Sequence, residues 1–194
     1  MNGKVRHPLR LTAMLYLLDY GAGNIQSLAN SLTKLGYTYE WVREPSDICK
    51  ADKLLFPGVG SFASAMDALH AKGYVEPLRA YIQSGKPLMG ICVGMQVLFE
   101  GSDESPSVPG LGIVPARVGR FATQDALGRK AVPHMGWSLA NVVEWDGCAD
   151  QRHELARSYG MHDSNPSHYY FVHSYRVAWD ANVAEWALTT TQYG

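Results

Sequence analysis

Seven consecutive residues, Gly90-Ile91-Cys92-Val93-Gly94-Met95-Gln96, carry the strongest chemical signal in this chain. A cysteine stands between two glycines, after an apolar run and ahead of a helix-like one. That is the pattern of a nucleophile elbow, a tight strand-to-helix turn that lifts one side chain clear of a sheet. Glycines suit such a turn because a Cβ there collides with neighbouring backbone. The turn offers the thiol a helix N-terminus, whose partial positive charge favours thiolate. It also offers free N–H groups that stabilise an oxyanion. The chemistry is acyl transfer: thiolate attacks a carbonyl, and the resulting thioester is hydrolysed. The rival reading is a buried structural cysteine. The strand pattern before Cys92 and the helix pattern after it favour the reactive one.

Pro57-Gly58-Val59-Gly60-Ser61-Phe62 ends another apolar run. Its glycines let backbone approach a ligand, so Gly58, Val59 and Gly60 are candidates to supply an oxyanion N–H beside that of Val93. The plain alternative is a tight turn. A lone histidine is more often structural than catalytic, which weighs against His134 and His173 as bases. His153, His162 and His168 match no zinc-ligand spacing and read as solvated loop histidines. Gly21-Ala22-Gly23-Asn24 lacks the third glycine of a dinucleotide fingerprint. No metal or cofactor is expected.

These residues need a scaffold. Residues 15–18, 39–42, 53–56 and 88–91 read as buried strands. Ile25, Leu28, Leu32 and Leu35 recur at helical spacing, with Gly36 as a stop signal. Further helices are expected over 63–71 and 75–84, and a last one over 93–99 after Cys92. This alternation predicts an α/β fold, a mostly parallel sheet flanked by helices in three layers, flavodoxin-like, with ligands at the strand C-termini. Beyond Gly101 short β-like runs take over, at 116–121, 140–143, 169–172 and 186–191. Residues 150–167 read as a polar loop with a short helix at its start.

A net charge of -1 gives no bulk pull on nucleic acid or anionic membrane, and no apolar run approaches a bilayer span. The cysteines number three, so a disulfide scaffold is not expected; Cys49 and Cys148 read as small, partly buried hydrophobes. Residues 1–13 read as a disordered extension, with a transit-peptide remnant as the alternative, and Met14 is a candidate internal start. The expected compartment is cytoplasmic, or plastid if the basic stretch is such a remnant.

The elbow resembles the nucleophile motif of the class I (triad-type) glutamine amidotransferases. More narrowly, the chain resembles the glutaminase branch of imidazole glycerol phosphate synthase, from about Met14 to the C-terminus. Asp19-Tyr20-Gly21-Ala22-Gly23-Asn24, Pro57-Gly58-Val59-Gly60, Pro133-His134-Met135-Gly136-Trp137 and Tyr169-Tyr170-Phe171-Val172-His173-Ser174-Tyr175 carry that narrower likeness. The resemblance implies that Cys92 attacks the side-chain amide of glutamine. It implies that Gln96, His173, Ser174 and Tyr175 hold the substrate. Gly58 to Gly60 form the oxyanion loop, with the Val59 N–H turning inward on activation. Pro133 to Trp137 lie towards a (β/α)₈-barrel synthase, separate or fused, that receives the ammonia in histidine biosynthesis.

Two departures bear on activity. Ser138 stands where the family usually has asparagine after Gly-Trp. Family members also place a His-Pro-Glu motif further downstream, and no His-x-Glu occurs among these 194 residues. The expectation is an amidotransferase domain over 14–194 lacking its C-terminal segment, with Cys92 positioned but slow to turn over. The alternatives are a class I amidotransferase serving another acceptor, and a glutaminase-like fragment that binds or regulates a synthase barrel.

Overall fold

The computed structural model describes residues 13–21, 25–125, 128–143, 154–157, 168–180 and 182–193. Cys148 and most of the polar loop expected at 150–167 lie outside them, as do residues 1–12. The chain divides into two compact units, 1–95 and 96–194.

In the first unit, strands β1 (Leu15–Leu18), β2 (Glu40–Val42), β3 (Lys53–Gly58) and β4 (Leu88–Cys92) form a sheet in the order β2-β1-β3-β4. Every pairing is parallel, as runs with apolar residues on both faces require. Helix α1 (Ile25–Lys34) lays Ile25, Leu28 and Leu32 against Leu17 and Leu55. Its chain end turns at Gly36, whose φ of 81° is the left-handed geometry that stops helices. Helix α2 (Pro45–Lys50) packs on α4 (Val75–Gln83). Helix α3 (Phe62–Ala71) starts at Ser61, whose side chain accepts from the Ser64 N–H. Phe62, Met66, Leu69, Leu78 and Phe56 are wholly or almost wholly buried.

Cys49 is exposed, not partly buried as expected. One step along a helix rotates a side chain by about 100°, and on α2 the inward position belongs to Ile48, which is fully buried.

The helix expected over 93–99 is only α5 (Val93–Gln96). The residues that follow pair with other backbone instead. Val97 accepts from Leu111 N–H, Leu98 from Ile113 and Val114, and Phe99 from Gly112. Phe99 consequently opens β5 (Phe99–Ser102), which pairs with β6 (Ser105–Pro109) and β7 (Val114–Arg120). Short β8 (Gln124–Asp125) and β9 (Gly128–Arg129) follow. Then β10 (His134–Leu139), β11 (Asn141–Val142), β12 (His168–His173) and β13 (Tyr175–Val177) complete most of the second unit. Strand β10 pairs with β12, β13 with β7, and β11 with β14 (Thr189–Thr190), all antiparallel.

The strand expected over 186–191 is reduced to β14. Val183 carbonyl accepts from both Trp186 and Ala187, winding 184–186 into a 3₁₀ turn instead. Among the described residues no helix is long and apolar enough to cross a membrane.

Candidate active site

Cys92 ends β4 and directly precedes α5, with its side chain exposed. Its φ is 56°, the only positive φ of a non-glycine residue among those described. Left-handed backbone costs an ordinary residue about 1–3 kcal/mol and is kept where surrounding structure enforces it. Here the enforcement is visible. A Cβ on Gly90 would lie 2.7 Å from the Met95 Cα, and one on Gly94 would overlap the Phe56 carbonyl. A Cβ on Gly58 would strike the Gly94 nitrogen and come within 2.8 Å of the Tyr20 hydroxyl oxygen. The ends of β3 and β4 and the start of α5 thus touch backbone to backbone. Glycine is required at both sides of that contact.

In the β3–β4 ladder Gly58 is the register partner of Cys92. The segment Gly58-Val59-Gly60 therefore leaves β3 beside the thiol and runs into the Ser61 cap of α3. Gly60 has φ 91°, and Val59 is half exposed. Val93 and Gln96, the first and last residues of α5, are both buried.

Tyr20, just after β1, is a site residue to which the sequence assigned no role. It is 2% exposed and meets Phe56 edge-on at 5.8 Å. Burial pushes its phenol up from the ordinary value; the Val59 backbone N–H opposes that rise, and negative charge on Cys92 adds to it. The signal in sequence was a tyrosine closing an apolar run, which does not distinguish a surface ring from a buried one.

His173 ends β12, with Ser174 and Tyr175 leading into β13. Its Nδ1 pairs with the Tyr175 carbonyl at 2.8 Å, while its buried Nε2 has no partner among the described residues. The Ser174 carbonyl accepts from the Phe121 N–H. Across the β10–β12 ladder His173 is the register partner of His134, their rings 5.3 Å apart. His134 is buried, stacks on Tyr193 at 3.9 Å and shares a 2.8 Å hydrogen bond with the Ser138 hydroxyl. Burial, then the neighbouring His173, lower its pKa below the usual histidine value.

Strand alternation splits the Pro133–Trp137 stretch. Pro133, Met135 and Trp137 are exposed, whereas His134 is buried and Gly136 half-buried. Val172 and Tyr170, the cross-strand partners of Met135 and Trp137, are also exposed. Paired residues of a ladder share a face, so these apolar side chains form one strip.

A cavity of about 590 Å³ in the second unit is lined by Phe121, His134, Phe171, His173, Arg176 and Tyr193, among others, and not by Cys92. The candidate site is placed at Cys92 on chemistry: a nucleophile held in strained backbone beside a glycine loop outweighs volume alone. Among the described residues no three His, Cys, Asp or Glu side chains gather as metal ligands.

The chain belongs to the class I glutamine amidotransferases, whose family model matches residues 16–193. A curated relative in Emericella nidulans, imidazole glycerol phosphate synthase hisHF, is 45% identical over 183 residues, covering 93% of this chain and 31% of that protein. The chloroplastic hisHF of Arabidopsis thaliana is 42% identical, over 100% of this chain and 32% of that one. The chain thus spans about a third of the length of these relatives. The subunit HisH of imidazole glycerol phosphate synthase from Desulfitobacterium hafniense is 42% identical over 85% of this chain and 71% of its own. A crystal structure of a glutamine amidotransferase superposes with a TM-score of 0.54 at 21% identity, over 81% of this chain and 70% of that one, a likeness of α/β fold.

Proposed function

We propose that this chain is the glutaminase part of an imidazole glycerol phosphate synthase. It hydrolyses glutamine to glutamate and ammonia for a (β/α)₈-barrel synthase, separate or fused, in histidine biosynthesis. The domain comprises residues 14–194, in the cytoplasm or a plastid. The observation that carries the reading is Cys92, exposed at φ 56° between β4 and α5 with Gly58 as its register partner.

Cys92 is the nucleophile. Its sulfur adds to the amide carbonyl, and charge collects on the oxygen. The Val93 N–H and the Gly58-Val59-Gly60 loop receive that charge; such donors cost no reorganisation at the moment of reaction. Collapse expels ammonia and leaves a γ-glutamyl thioester, which water cleaves to glutamate. Gln96, His173, Ser174 and Tyr175 are assigned to holding the substrate. Pro133, Met135 and Trp137 are assigned to the barrel side, with His134 and Gly136 supporting them from within. The general base is assigned to none of these 194 residues.

Labelling by a diazoketone analogue of glutamine tests the proposal without requiring turnover. Wild-type protein should be modified at Cys92 and protected by glutamine, and Cys92→Ala should not be modified. Labelling that survives Cys92→Ala, or that glutamine leaves untouched, would refute the assignment.

A further inference from the structure

The Tyr20 hydroxyl is buried beside the nucleophile and has no task in the reaction described above. Its Oη has no hydrogen-bond partner among the described residues, an uncommon state for a buried hydroxyl. It lies 2.8 Å from the position a Cβ on Gly58 would occupy, and Gly58 pairs in register with Cys92. Val59 follows Gly58 directly, so the Gly58–Val59 peptide lies beside the same oxygen. The Gly58–Val59 peptide therefore passes over a group able both to accept a hydrogen bond and to donate one.

We infer that Tyr20 is a positioning residue: its hydroxyl sets the orientation of the Gly58–Val59 peptide and so aims the Val59 N–H at a carbonyl held by Cys92. This rests on the glutaminase reading and adds to it a residue that acts through the loop, since Oη is sealed from solvent. Gly58 has no side chain, so its ψ is the freer torsion about which the following peptide can turn. With the N–H turned towards the phenol, the phenol proton is unmatched and the N–H is diverted from an oxyanion. With the peptide turned over, the Gly58 carbonyl faces the phenol, which donates to it. The Val59 N–H is then free to receive the oxyanion. A hydroxyl gains a partner in the second orientation and so favours it. A phenyl ring has no such preference.

Tyr20→Phe keeps the ring and removes the hydroxyl. Two reagents separate loop from elbow. A diazoketone analogue of glutamine presents a carbonyl to the loop, whereas iodoacetamide loses iodide to thiolate attack at its methylene carbon and places no charge on a carbonyl oxygen. The expected result is a roughly ten- to a hundred-fold slower limiting rate of Cys92 labelling by the diazoketone, somewhat less than loss of a whole oxyanion donor. Half-saturation by the diazoketone and the iodoacetamide rate should not change. An unaltered diazoketone rate would overturn the inference. So would a change in both rates together, which would show that Tyr20 merely supports the elbow. Wild-type protein that takes no diazoketone at Cys92 would instead sink the glutaminase reading.

Discussion

At the scale of single residues, the elbow depends on atoms that are missing. Gly94 has room for no Cβ because the Phe56 carbonyl occupies the place, and the backbone of a central strand cannot retreat. Gly60 differs: its φ of 91° disfavours side chains, but the space around it is open. The two constraints predict different costs. Gly94→Ala should destabilise by about 3 kcal/mol or more, the upper range for overpacking. Gly60→Ala should cost about 1–2 kcal/mol, the strain of left-handed backbone alone. Urea unfolding midpoints at unchanged slope measure both. Equal costs would show that the contact between β3 and α5 yields more easily than the geometry implies. Glycine spacing is a local signal, which is why Cys92 and its flanking glycines were legible in sequence. Tyr20 was not, because its burial under Gly58 joins residues far apart in the chain.

At the scale of elements, β10 shows how one strand serves two faces. His134 turns inward against Phe171 and Tyr193 and shares a hydrogen bond with Ser138, four residues on along the same face. Ser138, the departure noted from the resemblance, thus has a structural use here. Ser138→Ala leaves a buried ring nitrogen without that partner and should cost about 1–3 kcal/mol. The lowered pKa of His134 adds a pH dependence whose sign is fixed. Below the ordinary value of 6.5 the unfolded chain takes up a proton that the folded chain still refuses. Stability is therefore complete above pH 6.5 and declines as pH falls towards the folded pKa. Denaturation measured across that interval should show a shallower slope for His134→Asn than for wild type; identical slopes would exclude His134 as the titrating group. Most strands and helices of the first unit were readable from periodicity; α2, six residues with Ile48 as its buried side chain, was not. The end of α5 was not, since Val97, Leu98 and Phe99 suit a strand as well as a helix. Their carbonyls are claimed by residues 111–114, a competition that only the tertiary fold decides.

At the scale of the whole molecule, the exposed strip on β10 and β12 asks for a partner. Met135, Trp137, Tyr170 and Val172 are each more than half exposed, and Trp137 meets Tyr170 at 5.6 Å. Isolated exposed apolar residues are ordinary, but a contiguous strip marks an interaction surface. Under the proposed function the occupant is the barrel synthase, to which ammonia would pass without protonation in bulk water. Large aromatic side chains at the centre of such an interface carry most of its energy, about 2 kcal/mol or more when truncated. Trp137→Ala should then weaken barrel binding by roughly thirty-fold or more, with the iodoacetamide reactivity of Cys92 in the isolated chain unchanged. Titration calorimetry with the purified barrel reads the first quantity and mass spectrometry the second. The two readouts separate the interface from the chemistry. Unchanged affinity would mean that the barrel docks elsewhere and the strip faces another partner, while a parallel loss of Cys92 reactivity would make Trp137 a folding residue rather than a docking one.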